Sequence, residues 1–232
     1  MAFIDNYRRI MESVAAAAGA RGRNPDDIRL VAVSKTFPAE TIQQAIKEGI
    51  ALFGENKVQE AKAKIPLLKG GFEFHLVGHL QSNKARDAVS LFSMIHSIDS
   101  ASTACKLNRE AGKIDKIQKI LVQVNTSGED TKSGVEPSEA PALCRELLGL
   151  ENLELKGLMT IGPFTDDTAE VRESFASLRE LLGEINRELG TDLRELSMGM
   201  SSDFTIAVEE GATLLRIGTS IFGSRSYGNG TA

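Results

Sequence analysis

From Ile28 onward the chain alternates eight times between a short apolar run of strand length and a longer segment of helical period. The apolar runs are residues 28–35 (IRLVAVSK), 51–56 (ALFGEN), 74–80 (FHLVGHL), 94–99 (MIHSID), 119–125 (KILVQVN), 154–162 (ELKGLMTIG), 193–199 (LRELSMG) and 213–220 (TLLRIGTS). Helical segments separate them; the first is punctuated by Pro38 at its start and Gly49 just past its end, as the opposite preferences of these residues predict. The alternation implies an α/β fold, a parallel sheet with helical crossovers. Eight units favour a closed (β/α)8 TIM-type barrel over an open doubly wound sheet. Residues 1–23 add an N-terminal amphipathic helix, since Asp5 and Glu12 interrupt any signal-like apolar stretch. No linker or low-complexity tract divides the 232 residues, which are expected to form one domain, 1–232.

A barrel carries its functional groups at the C-terminal ends of its strands. In this chain those ends are Lys35, Glu55–Asn56, Gly78–His79, Asp99, Asn125, Thr160–Gly162, Met200–Ser201 and Gly218–Thr219. Alternation puts Lys35 on the face shared by Val31 and Val33. If those valines fill the barrel, Lys35 points into the mouth, and partial desolvation would free its amine as a nucleophile. A lone lysine at a strand end is more often a snorkelling surface group. The loops after strands seven and eight read MGMSSD and RIGTSIFG. Such loops commonly bind phosphate in barrels, through the close backbone approach at Gly218 and the hydroxyls of Ser201 and Thr219. Ser202–Asp203 is expected to cap the next helix. Arg216 stands inside the apolar eighth strand and needs a partner. Two readings stay open for it: an ion pair with Glu209 or Glu195, or a fixed donor to a ligand's ring nitrogen.

The motifs VAVSKT (31–36), FGENKVQE (53–60), HLVGHLQSNK (75–84), HSID (96–99), LSMGMSSDF (196–204) and RIGTSIFG (216–223) resemble the pyridoxal phosphate homeostasis proteins, the YggS/PROSC-like group, over nearly the whole chain. The resemblance implies the barrel of the alanine racemase N-terminal domain without that enzyme's C-terminal β domain. It implies pyridoxal 5′-phosphate (PLP) held as a Schiff base on Lys35, phosphate contacts from Ser201, Gly218 and Thr219, and a hydrogen bond from Arg216 to the pyridine nitrogen. Asn56 should line the pocket, with Met200 contributing backbone or packing. The function implied is intracellular PLP homeostasis, as a carrier without turnover of its own, because the resemblance places the second acid–base residue of a racemase in a domain that would follow Ala232. Apo forms of PLP-dependent enzymes would be its partners, and the racemase dimer contacts would be missing, so a monomer is expected. Competing readings are a small PLP-dependent racemase or lyase, with Lys35 as base and an acid such as His79, or a class I aldolase-like barrel acting on a sugar phosphate. Lys132, in the long loop after the fifth strand, is a conceivable secondary site for the aldehyde cofactor.

Composition narrows the classes. With 27 basic against 32 acidic residues, the net charge of −5 argues against nucleic acid as the main ligand. No run approaches a membrane span. Cys105 and Cys144 lie outside any metal or redox motif and fit a reducing cytoplasm; both read as packing residues. His75, His79 and His96 lack zinc-type spacing and read as core or pocket histidines.

Overall fold

A computed structural model describes residues 2–129 and 133–223. In chain order the elements are α1 (Phe3–Ala20), β1 (Arg29–Val33), α2 (Ala39–Lys47), β2 (Leu52–Glu55), α3 (Val58–Lys64), β3 (Glu73–Leu76), α4 (Ala85–Leu91), β4 (Met94–Ile98), α5 (Ala101–Gly112), β5 (Gln118–Gln123), α6 (Ala140–Leu148), β6 (Leu153–Met159), α7 (Thr168–Leu189), β7 (Glu195–Ser197), α8 (Phe204–Glu209), β8 (Leu214–Ile217) and α9 (Thr219–Phe222). Each strand pairs in parallel with the next, and β8 pairs with β1, closing a (β/α)8 barrel. The open-sheet alternative is thereby excluded. The ends of the long helix α7 are written in its sequence. The Asp167 side chain accepts from the Ala169 amide at 2.8 Å, and Gly190 ends the helix at φ 65°, as expected for an acidic N-cap and a glycine C-cap.

Alternation along the strands divides the apolar residues into two cores. Val31, Val33, Val77, Met94, Leu121, Met159 and Leu214 fill the barrel interior. Leu30, Ala32, Phe53, Phe74, Ile95, Ile120 and Leu215 face outward into the layer of helices. Parallel strands buried on both faces read as largely apolar runs, broken here by the buried His75, His96, Ser197 and Arg216.

The ends differ from expectation in instructive ways. Residues 219–220 do not extend the eighth strand; they begin α9, whose Ile221 and Phe222 amides bond to the Gly218 carbonyl at 2.9 and 3.0 Å. Lys35 lies in a turn two residues beyond β1. Cys144 is buried as expected, but Cys105 is exposed. The packing role read for Cys105 is therefore corrected: it sits on the outer side of α5. Helix α1 packs against α8 and α9. Arg23 donates to the carbonyls of Val208, Gly211 and Ala212, and Asn6 Nδ2 donates to the Ile221 carbonyl at 2.9 Å. The Phe222 ring touches Phe3 of α1 and Phe37 beyond Lys35, with centroids 5.5 and 5.0 Å apart. One aromatic contact thus ties α9, α1 and the segment after Lys35 together.

Strand β6 carries a bulge. Ile120 of β5 pairs with Leu155, but Leu121 pairs with Gly157, leaving Lys156 as the extra residue. The alternation changes phase there: Leu153, Leu155 and Leu158 all face the outer core, and Met159 turns inward. Gly157 makes this fit, at φ 155° and with the site of an added Cβ only 2.0 Å from the Glu195 carbonyl oxygen. A side chain there must push β7 away. Gly157→Ala is expected to destabilise the fold by more than about 3 kcal/mol, measured by urea unfolding. A change within about 0.5 kcal/mol, the range typical of neutral surface substitutions, would contradict this account of the bulge.

Candidate functional site

The backbone around Lys35 is clamped on both sides. The Ser34 amide donates to the Gly54 carbonyl at 2.9 Å, and its hydroxyl donates to Glu55 Oε1 at 2.8 Å. Lys64 Nζ, from the end of α3, reaches the Ser34 carbonyl at 3.3 Å, Glu55 Oε1 at 3.0 Å and Glu60 Oε2 at 3.2 Å. Glu60 Oε2 in turn accepts from the Thr36 amide at 3.0 Å. Thr36 adopts φ 70°, a left-handed conformation that a β-branched residue holds only when its surroundings enforce it. Burial pushes the Glu55 carboxyl up, while Lys64 and Ser34 pull it back down. Lys35 is half-buried between these two fixed residues.

The neighbouring strands bring the other predicted residues to the same rim. Arg216 of β8 pairs with Val31 of β1, and Val33 pairs with Gly54 of β2. A Cβ on Gly218 would lie 3.0 Å from the Val33 carbonyl oxygen, so the β8 loop lies directly against the end of β1. The Arg216 amide donates to the Gly199 carbonyl at 2.9 Å, which sets Met200 and Ser201 beside it. Met200 and Ser201 are half-buried and Thr219 is exposed. Asn56 follows β2 directly and lines a cleft of about 630 Å³ with Gly78 and His79. Met200 lines a second cleft, about 530 Å³, with Ile161, Phe164 and Ile206. Lys35, Asn56, Met200, Ser201, Gly218 and Thr219 therefore sit at the C-terminal ends of β7, β8, β1 and β2, four consecutive strands, with Arg216 on the interior face near the end of β8. Asp203 occupies the N-cap position of α8, but no side-chain bond caps the helix. Its Oδ1 instead accepts from the Met200 amide at 2.5 Å. The expected Ser202–Asp203 cap is therefore corrected: the carboxylate fixes the loop that carries Met200 and Ser201. Lys132 lies outside the described residues.

Arg216 is buried, and its partners are neutral. Nη1 donates to Ser197 Oγ and Nη2 to the Thr160 carbonyl, both at 2.7 Å. Glu195 pairs with Arg29 at 2.6 Å, and Glu209 pairs with Arg172 at 2.6 Å. The ion pair offered for Arg216 at either carboxylate is thus set aside. Among the described residues, three of its five N–H groups have no partner. Desolvation lowers its pKa to about 10, with Asp203 acting the other way, so it stays cationic at neutral pH. Behind it, His96 Nδ1 lies 2.9 Å from Ser197 Oγ, and His96 Nε2 lies 3.0 Å from His75 Nδ1. Burial, then the charges of Arg29 and Lys119, lowers His75 to about 3; His96 is driven well below its ordinary value by burial, His75, Arg216 and Arg29. His75 and His96 are thus core histidines, whereas His79 pairs with Asp99 at the mouth, 3.4 Å away. Ser197 and the Thr160 carbonyl were not foreseen as partners of Arg216. The signal was available: with Leu196 facing outward, alternation turns Ser197 inward beside β8. Among the described residues no group of three His, Cys, Asp or Glu side chains could hold a metal, and no helix is long and apolar enough to cross a membrane.

Residues 2–226 match the family model for the alanine racemase N-terminal domain. A protein of Aquifex aeolicus named pyridoxal phosphate homeostasis protein is 41% identical over 224 residues, covering 96% of this chain and 98% of the relative. A protein of Pseudomonas aeruginosa with the same name is 41% identical over 225 residues, covering 97% and 96%. The chain belongs to the pyridoxal phosphate homeostasis protein family. Among solved structures it resembles PipY of Synechococcus elongatus with PLP bound, with a TM-score of 0.81 and 41% identity over 90% of this chain and all of PipY. An alanine racemase of Clostridium difficile superposes at a TM-score of 0.76 and 18% identity, over 97% of this chain and 58% of the racemase. That likeness shows the shared barrel fold.

The depressed histidines make stability depend on pH. Above the unfolded value of about 6.5 both states keep neutral imidazoles. Below it the unfolded chain takes up protons that the folded chain refuses, so stability falls as pH falls. His75 should cost about 2 kcal/mol between pH 7 and pH 5, and His96 acts in the same sense; Glu55, whose carboxyl is raised, acts in the opposite sense. Urea midpoints across this range should drop, and the drop should shrink in His75→Gln. A flat profile would contradict the buried neutral pair.

Proposed function

We propose that this chain, as one barrel domain over residues 1–232, binds PLP as a Schiff base on Lys35. It serves intracellular PLP homeostasis as a carrier without turnover of its own. The observation that carries this reading is Arg216. A buried guanidinium with neutral partners and spare donors stands on the strand beside the one that leads to Lys35. The residues fit the cofactor. Ser201, Gly218 and Thr219 would hold the phosphate, Arg216 would donate to the pyridine nitrogen, and Asn56 and Met200 would line the pocket. When bound, the cofactor supplies an aldehyde carbon for the lysine amine and an electron-withdrawing ring. Arg216 donates a hydrogen bond without surrendering its proton. A ring nitrogen so paired stays unprotonated and draws electrons weakly; that suits a carrier and a racemase alike and does not choose between them. The names of the relatives support the homeostasis role. In this reading the protein works as a cytoplasmic monomer that passes PLP to apo forms of PLP-dependent enzymes.

Purified protein given PLP should develop a visible absorption band. Borohydride should fix a phosphopyridoxyl group on the peptide containing Lys35, and Lys35→Ala should lose both band and adduct. Protein that stays colourless with added PLP would overturn the proposal. Deuterium exchange at Cα across a panel of amino acids would replace the carrier with an enzyme.

A further inference from the structure

A carrier needs Arg216 but gives no reason for what lies behind it. A line of polar groups crosses the barrel interior from the Thr160 carbonyl through Arg216, Ser197 and His96 to His75. The four side chains in it are at most 6% exposed. Barrel interiors of this size are ordinarily filled by branched aliphatic residues, and buried polar groups are costly unless every one is paired.

The direction of these bonds follows from Arg216. A guanidinium can only donate, so Ser197 Oγ must accept from Nη1. The Ser197 hydrogen then has one neighbour in the line that can take it, His96 Nδ1. With Nδ1 accepting, neutral His96 carries its proton on Nε2 and donates to His75 Nδ1. His75 is then an Nε2–H tautomer as well. A proton added to His96 Nδ1 would remove the acceptor for Ser197 and set a second cation against Arg216. Burial acts in the same sense, holding both imidazoles neutral.

We propose that Ser197 and His96 are positioning residues for Arg216. The one-way chain from Arg216 through Ser197 to His96 and His75 sets the rotation of the guanidinium and turns its remaining N–H groups toward the barrel mouth. What Arg216 serves there rests on the proposed function; the direction of the chain does not.

Nitrogen-15 NMR of the histidine rings in PLP-free protein tests the direction. Near neutral pH, His75 and His96 should both be neutral Nε2–H tautomers, and Ser197→Ala should shift the His96 Nδ1 resonance as it loses its donor. A cationic His96, or one protonated on Nδ1, overturns the proposal. Titration with PLP tests the positioning. Ser197→Ala and His96→Phe should weaken binding about tenfold, as for loss of one hydrogen bond to a charged group, and shift the visible band. Binding and band unchanged in a folded Ser197→Ala variant also overturn it. If a variant does not fold, the tautomers of the unaltered chain still decide. Correct tautomers in a chain that takes up no PLP would sink the proposed function and leave the directed chain standing. Wrong tautomers in a chain that loads PLP at Lys35 would sink the directed chain alone.

Discussion

A cation inside a barrel constrains everything around it. Stripped of water, a guanidinium is tolerated only where hydrogen bonds replace its hydration. In this chain the replacement comes from a hydroxyl, itself backed by two histidines, and a carbonyl, with no direct carboxylate contact among the described residues. A carboxylate bonded to Arg216 would have neutralised the charge within the fold. Neutral partners keep the charge and its spare donors available. Strand pairing sets where that charge stands: β8 lies beside β1, and β1 leads to Lys35.

The rest of the architecture keeps those two groups in register. Glu55, Glu60 and Lys64 hold the residues on either side of Lys35. Gly218 lets the β8 loop meet the end of β1 without a side chain between them. Phe222 joins α9 to α1 and to Phe37, so the N-terminal helix buttresses the mouth although it supplies no residue to it. Asp203 fixes the loop carrying Met200 and Ser201 from the other side. Both walls of the candidate site are thus set by contacts that do not depend on a ligand.

Much of this was legible in the sequence, for identifiable reasons. Strands buried on both faces leave largely apolar runs, so the eight units and their order could be read directly. The end of the first apolar run marked Lys35 as a rim residue, although it lies in the turn beyond β1 rather than on the strand whose alternation was used to place it. What stayed hidden depends on long-range contact. Nothing in the period of α3 tells that Lys64 folds back to the Ser34 carbonyl. The bulge at Lys156 reverses a strand's phase without leaving a turn residue other than Gly157. Glu195 and Glu209 were plausible partners for Arg216 until the fold placed Arg29 and Arg172 against them. Cys105 was read as a packing residue, but it falls on the outer side of its helix. Ser197 was the recoverable omission, since alternation along β7, with Leu196 outward, turns Ser197 toward Arg216.

The central claim is that Lys35 and Arg216 address one ligand from adjacent strands. A crystal structure of the protein with added PLP tests it most directly. The account predicts continuous density from Lys35 Nζ to the cofactor, the pyridine nitrogen within hydrogen-bonding distance of the Arg216 guanidinium, and the phosphate against Ser201, Gly218 and Thr219. PLP bound at another lysine, or a ring turned so that Arg216 has no contact with its nitrogen, would contradict it.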